Sequence, residues 1–213
     1  FEKINIGNAT ATAKVTDTKT PVTVDLTASE VNEDASNTSY VFTATLSEKS
    51  QGITTIVTDQ GNIEILDGQT TGTLIKSSNN TGDVYNDASE LTATISSASG
   101  GNFEKINIGN ATATAKVTDT KTPVTVDLTA SEVNEDASNT SYVFTATLSE
   151  KSQGITTIVT DQGNIEILDG QTTGTLIKSS NNTGDVYNDA SELTATISSA
   201  SGGNFEKINI GNA

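Results

Sequence analysis

The 213-residue chain has no cysteine, histidine, methionine or tryptophan and only two prolines. Without cysteine there is no disulfide, no thiol nucleophile and no thiolate-bound zinc. Without histidine the commonest general base and the commonest transition-metal ligand are both missing. Hydrophobic residues make up 33% and aromatic residues 4%. No run approaches the roughly eighteen consecutive apolar residues of a membrane-spanning helix. Nor does a basic stretch lead into an apolar one, so no signal peptide is expected. Positive charge is scarce: 11 Lys and Arg face 27 Asp and Glu, for a net charge of -16. Such a surface repels nucleic acid, whose binding depends on neutralised phosphates, and disfavours anionic lipid. No nucleic-acid partner and no membrane insertion are expected. Cations are the natural partners.

What the chain does contain is repetition. FEKINIGNAT begins at Phe1 and again at Phe103, every residue of 1–102 recurs unchanged at 103–204, and a third copy starts at Phe205. A period of 102 residues is that of a whole domain rather than a solenoid turn. The domain boundary is expected in the polar segment Asp119-Thr120-Lys121-Thr122-Pro123 and its twin ending at Pro21, because proline suits the start of an edge strand. The chain then divides into residues 1–20, the last strand of a preceding repeat; 21–122, a complete repeat; and 123–213, a second repeat without its last strand.

Within 21–122, short runs rich in Thr, Val and Ile alternate apolar with polar residues, which is strand composition. Seven main strands are predicted, over 22–28, 38–47, 53–58, 63–66, 71–76, 90–96 and 111–118. Val22, Val24, Leu26, Tyr40, Phe42, Ala44, Leu46, Leu91, Ala93, Ile95, Ala111, Ala113, Ala115 and Val117 face inward. Gly100-Gly101 breaks the sixth strand, and Phe103, Ile106 and Ile108 form a bridge or short strand. About a hundred residues with short strands and frequent turns predict an all-β fold: tandem immunoglobulin-like antiparallel sandwiches joined end to end. Alanine-rich strands bury little area at about 25 cal/mol per Å², so the core needs another source of stability.

The segments TATLS (43–47), GQTTGTL (68–74), SASGGNFE (97–104) and ATATAKVTDT (111–120) resemble the extender repeats of giant bacterial adhesins. These are the biofilm-forming RTX-type adhesins exported by type I secretion, and the resemblance spans the whole repeat. It implies immunoglobulin-like domains stacked end to end, with calcium at and near their junctions. It also implies a stalk on the outer surface of a bacterium that holds a distal ligand-binding region away from the cell. Neither the RTX nonapeptide nor the family's C-terminal secretion region occurs in these residues, so the chain reads as a piece of stalk.

The acids point to calcium by a separate route. If successive strands alternate direction, Glu30, Glu33, Asp34, Asp59, Asp83, Asp87, Glu90 and Asp119 all lie at the pole where the chain leaves the domain. Carboxylates crowded at one pole repel one another unless a cation is shared. Calcium takes six to eight oxygen ligands, and Asn79, Asn80 and Asn86 supply further oxygens beside Asp83 and Asp87. The following repeat presents Glu150, Asp169, Asn204 and Glu206 from its opposite pole, so an ion there would touch both repeats. The candidate ligands are Asp17, Glu30, Glu33, Asp34, Asp83, Asp87 and Asp119, with Glu132, Glu135, Asp136, Asp185 and Asp189 in the second copy. No EF-hand pattern is present, so ligands come from separate loops. Solvated loop acids are the plain alternative.

Other patterns carry less. Thr-x-Thr steps resemble an ice-binding face, but Thr favours exposed strand faces and the steps lack a short solenoid period. Sequons at Asn8, Asn37 and Asn79 are common in a Thr-rich chain. Asp83 and Asp87 are the nearest pair for glycosidase chemistry, yet a small sandwich without Trp offers no sugar cleft, and no enzyme is expected. A calcium-stiffened spacer is the first reading, each repeat adding a few tens of ångströms at roughly 3.3 Å per strand residue. The alternative is a glycan- or protein-binding module acting by avidity. Residues 1–20 repeat the strand that the second copy lacks, so head-to-tail strand-complemented contacts between molecules are expected in a crystal.

Overall fold

The computed structural model describes residues 2–182 and 184–211, and among them there is no helix. The chain divides into two compact units: Phe1–Ser29, Ser39–Ser77 and Glu90–Lys116 form the first, and Glu30–Thr38, Ser78–Ser89 and Val117–Ala213 form the second.

The first copy of the repeat supplies β1 (Pro21–Ala28), β2 (Glu30–Asn32), β3 (Tyr40–Leu46), β4 (Thr54–Thr58), β5 (Gly61–Ile65), β6 (Thr71–Lys76), β7 (Ser89–Gly100), β8 (Lys105–Ile108) and β9 (Thr112–Thr118). They form two sheets, ordered β6-β3-β1-β8 and β2-β9-β7-β4-β5. The period-2 alternation sets which side chains are inside: Val22, Val24, Leu26, Phe42, Ala44 and Leu46 from one sheet meet Ile56, Ile63, Ile65, Ala93, Ile95, Ala115 and Val117 from the other, all buried. Tyr40 is buried with them, whereas Leu91, Ala111 and Ala113 are only half-buried near the rim.

Two elements depart from an antiparallel sandwich of seven strands. β2 is an additional short edge strand. β8 is a full strand and pairs with β1 in parallel, Pro21 opposite Lys105 and Val24 opposite Ile108. β8 and β9 run the same way, so the chain crosses from one sheet to the other after Ile108 without reversing. Gly109 permits that crossing, because a Cβ there would lie 2.2 Å from Asp25 Oδ1. That same carboxylate accepts the Asn110 N–H at 2.6 Å. Where β7 ends, Gly100, Gly101 and Asn102 all have positive φ (93°, 67° and 57°). A side chain on Gly101 would strike Thr54 Oγ1 at 2.2 Å, so glycine is required there on both counts.

The second copy supplies β10 (Pro123–Ala130), β11 (Tyr142–Leu148), β12 (Thr156–Thr160), β13 (Gly163–Ile167), β14 (Thr173–Lys178), β15 (Ile197–Gly202) and β16 (Lys207–Ile210), in sheets β14-β11-β10-β16 and β13-β12-β15. Its core joins Val124, Val126, Phe144, Ala146, Leu148, Ile158, Ile165, Ile167, Ala195, Ile197 and Phe205, with Val84 and Tyr85 packed against them. β15 has 6 residues where β7 has 12, and residues 132–134, the counterpart of β2, form no strand. Both stretches flank the position that β9 takes in the first copy, and no strand occupies it among the described residues of the second copy.

The strand expected over 10–18 does not form: residues 2–20 are exposed and belong to no sheet. Their sequence matches that of β9, so the difference lies in the neighbours. A strand needs a partner edge for its N–H and C=O groups and an apolar face to bury. Val117 is 1% exposed and its twin Val15 is 97% exposed. The same Val→Ala change therefore has two outcomes: Val117→Ala should destabilise its sandwich by about 2 kcal/mol, from two lost methylenes and the space they leave, and Val15→Ala should leave a dilute sample unchanged. Denaturant unfolding of the two variants side by side checks this.

Candidate metal centre

Three carboxylates meet in the second unit. Glu33 follows β2, Asp119 follows β9, and Glu206 precedes β16; one oxygen of each lies within 4.8 Å of the others. The backbone places Glu33 directly: its N–H donates to Thr118 O at 3.0 Å, an extension of the β2–β9 pairing that brings its side chain under the linker. There it is 2% exposed. Its Oε1 accepts the Thr120 N–H at 2.9 Å and lies 2.8 Å from the Thr120 hydroxyl. Its Oε2 is buried with no hydrogen-bond partner among the described residues.

Glu206 takes the next linker residues. Its Oε2 accepts the Thr122 N–H at 2.7 Å and sits 3.2 Å from Thr120 Oγ1. The Thr120 hydroxyl also lies 3.0 Å from that of Thr122. One hydroxyl proton cannot serve both carboxylates, so acceptors outnumber donors at this spot. Asp119 Oδ1 accepts the Asp87 N–H at 3.1 Å, which brings a fourth acid alongside. Among the described residues no lysine forms an ion pair with any of the three.

A clip of backbone holds this arrangement. Val84 O accepts the Glu206 N–H at 2.9 Å, and Asn204 O accepts the Asn86 N–H at 2.8 Å. The Asn86 amide donates to Phe205 O at 2.8 Å. Tyr85 and Phe205 stack with centroids 5.4 Å apart and planes at 22°, and the Tyr85 hydroxyl donates to Lys151 O at 2.7 Å. The loop carrying the clip is pinned by Asn80, 5% exposed, whose amide donates to Asp87 O at 2.6 Å and whose oxygen accepts from the Ser89 hydroxyl at 2.7 Å.

The candidate ligands thus part company. Glu33 and Asp119 come together with Asp87 beside them. Glu206 completes the trio, and of the four groups read at the opposite pole only it is a ligand candidate: Asp169 is bound to the Gly154 N–H at 2.8 Å, and Asn204 belongs to the clip. Asp83 caps its own turn, accepting the Tyr85 N–H at 2.7 Å, and Asp185 does the same for Tyr187. Asp59 is committed to the Thr94 N–H at 2.8 Å. Glu30 and Asp34 are exposed and outside the trio, as are Asp17, Glu132, Asp136 and Asp189, while Glu135 is half-buried and equally outside it. Sequence reading missed the two threonines. Their signal was the spacing Asp-Thr-x-Thr-Pro, which aims alternate groups of an extended linker to one side.

The linker docking occurs twice. The Thr18 hydroxyl reaches Glu104 Oε2 at 3.0 Å, and the Thr20 N–H reaches the same oxygen at 2.7 Å. This repeats the grip of Glu206 on Thr120 and Thr122.

The crowding shifts the acids apart. Burial alone would raise the Glu33 carboxyl, but hydrogen bonds from the Thr120 N–H, Glu206, the Thr120 hydroxyl and Asp87 outweigh it and hold the group below its usual range. Glu206 is raised, first by burial and then by the hydrogen bond with Glu33. Asp87 is exposed as a whole residue, yet its carboxyl is raised by desolvation first and then by the charges of Asp83, Glu33 and Asp119.

The fold is all-β, and its described residues include one acidic cluster, Glu33, Asp119 and Glu206, that could hold a metal ion. The chain belongs to the LapA domain family, whose profile matches residues 20–120 and again 122–213. That family is associated with large adhesins, and it points to a non-enzymatic role in a surface-exposed protein. No curated protein matches the chain.

The shifts fix a pH dependence in the presence of chelator. Glu206 and Asp87 have raised folded-state values, so the native state takes up their protons first. Stability rises as pH falls through those values and stops rising below the unfolded ones. Glu33 acts oppositely: its contribution is present above its unfolded value and lost as pH falls through its lowered folded value. The melting temperature should therefore climb on mild acidification from neutral pH and fall again in stronger acid. A steady decline from neutral downward in calorimetry would contradict this assignment.

Proposed function

We propose that the chain is a spacer segment of a large bacterial cell-surface adhesin, stiffened by Ca2+ held between Glu33, Asp119 and Glu206, and that it carries a distal ligand-binding region away from the cell. The observation behind this reading is the buried, unpartnered Glu33 Oε2 in a centre that has more acceptors than donors. A buried anionic oxygen without a partner is costly, and a cation supplies the missing partner. The donor set is all oxygen, and the chain contains neither histidine nor cysteine. Such a set suits a hard cation. Three carboxylates on separate loops suit calcium's six to eight flexible ligands better than the tight octahedron of magnesium.

The division into repeats at 21–122 and 123–213 belongs to the same proposal. Glu33 comes from the first copy, Asp119 from the linker and Glu206 from the second copy, so an ion there ties the end of one repeat to the start of the next. The neighbouring repeat is then the principal partner, and extracellular calcium the setting in which the spacer works. Identical copies favour a product measured in length over one measured in binding.

Calcium that binds only the native state adds RT ln(1 + [Ca]/Kd), about 2.7 kcal/mol per site at a hundredfold excess. The melting temperature should rise with millimolar calcium and return on chelation, and Asp119→Asn should lose most of the rise. Glu206→Gln should reverse sign with conditions: stabilising or neutral in chelator, where it relieves like charge, and destabilising relative to the parent in calcium. A parent melt that is the same in calcium and in chelator ends the calcium reading. Saturable binding of the fragment on a glycan array would instead favour the module reading.

A further inference from the structure

We propose that Tyr85 and Asn86 are positioning residues for the cation centre: by docking on residues 204–206 they hold Glu206 beside Glu33 and Asp119, so that docking of the segment 78–88 and cation binding strengthen each other. This rests on the cation reading of the trio and names what governs its affinity.

The three carboxylates stand on three separate stretches of chain, after β2, after β9 and ahead of β16. Bringing them within reach of one ion requires something that touches all three stretches. The segment 78–88, which joins β6 to β7, does so. Gly82 lies against the residue after Glu33: a Cβ there would be 3.4 Å from Asp34 Cα. Asn80 O accepts the Thr38 hydroxyl of the same stretch at 3.1 Å. The Asp87 N–H donates to Asp119 Oδ1 at 3.1 Å. Val84 O accepts the Glu206 N–H at 2.9 Å, and the Asn86 N–H donates to Asn204 O at 2.8 Å. All of these residues belong to the second unit.

Side chains anchor only the third of these contacts firmly. The Tyr85 ring stacks on Phe205, packs against the core beneath it and donates its hydroxyl proton to Lys151 O. The Asn86 amide donates to Phe205 O at 2.8 Å, and the Asn204 amide returns a bond to Asn86 O at 3.3 Å. Tyr85 and Phe205 also form an antiparallel backbone bridge. Among the described residues, neither Tyr85 nor Asn86 hydrogen-bonds to a carboxylate of the trio. Their effect on the centre passes through the backbone that carries Glu206.

The segment keeps its shape by its own bonds, because the same bonds recur in the second copy. The Asn80 N–H donates to Ser78 Oγ at 3.1 Å, and the Asn182 N–H to Ser180 Oγ at 3.1 Å. The Thr140 hydroxyl donates to Asn182 O at 3.1 Å, as Thr38 does to Asn80. Asp83 and Asp185 accept the N–H two residues on at 2.7 Å in both copies. A preshaped brace loses little entropy on docking. Its stack and amide bonds are then left to oppose the repulsion among the three carboxylates, which drives Glu206 away from Glu33. A cation removes that repulsion. The brace and the cation therefore favour the same arrangement, and linkage makes the coupling reciprocal.

The test is isothermal titration calorimetry of the full chain with calcium, read at the binding event that Asp119→Asn abolishes. Tyr85→Ala removes the stack and the bond to Lys151 O. Asn86→Ala removes the amide bonds independently, and circular dichroism checks the fold of each, so that either variant carries the test. Tyr85→Phe keeps the ring. Ile165→Val loosens the buried core on the edge strand β13 and leaves the segment intact. The expected result is a Kd raised about tenfold by Tyr85→Ala, from the aromatic pair and the hydrogen bond together. Asn86→Ala weakens binding in the same direction, Tyr85→Phe recovers most of the affinity, and Ile165→Val binds as the parent does. Parental affinity in the folded alanine variants, or an equal loss in Ile165→Val, overturns the positioning role while the cation reading stands. A parent with no calcium event that Asp119→Asn abolishes removes the cation reading and this coupling with it.

Discussion

A carboxylate buried at 2% exposure with one oxygen unmatched is the constraint on which the rest of the second unit turns. The backbone of Glu33 is held there by pairing to Thr118, and its carboxylate by the Thr120 N–H and hydroxyl. The linker answers it with the Thr120 N–H, and Glu206 answers the linker with its grip on Thr122. Beside this chain of contacts Tyr85 stacks on Phe205 and the Asn86 amide donates to Phe205 O. The acids are therefore structural only in combination. Together the three carboxylates form a cluster that could hold a metal ion.

Much of the fold was legible in the residues. The alternation of Val22, Val24 and Leu26, and of Phe42, Ala44 and Leu46, gave both the strands and their inward faces, because the side-chain period of a strand is a local property. β8 was harder to read. Its four residues look like a bridge, and its parallel pairing with β1 depends on a crossover between sheets that periodicity does not encode. The tail failed for the opposite reason: its pattern is an excellent strand pattern, and among the described residues it pairs with no strand. Composition identifies a strand's capacity to pair, not the presence of a partner.

The site was legible in kind but not in membership. Crowded acids at one pole predict a cation centre, yet most of those acids do something humbler. Asp83 and Asp185 cap turns by accepting the N–H two residues on, and Asp59 secures a neighbouring strand. Aspartate in a loop serves turn capping and metal binding equally well, and only the fold separates the two uses. Glu33 was on the candidate list for its charge; its burial follows from strand β2, which is 3 residues long and gives almost no periodic signal.

The grip of Glu206 on Thr120 and Thr122 has a near-identical counterpart in Glu104 on Thr18 and Thr20. In both copies the linker threonines are thus held by a glutamate of the repeat that follows them. A gene carrying such copies can gain or lose one by unequal recombination at any point of the period, and the seam that results is the seam that was there before. Length becomes a heritable variable that changes in whole domains and leaves every junction as it was.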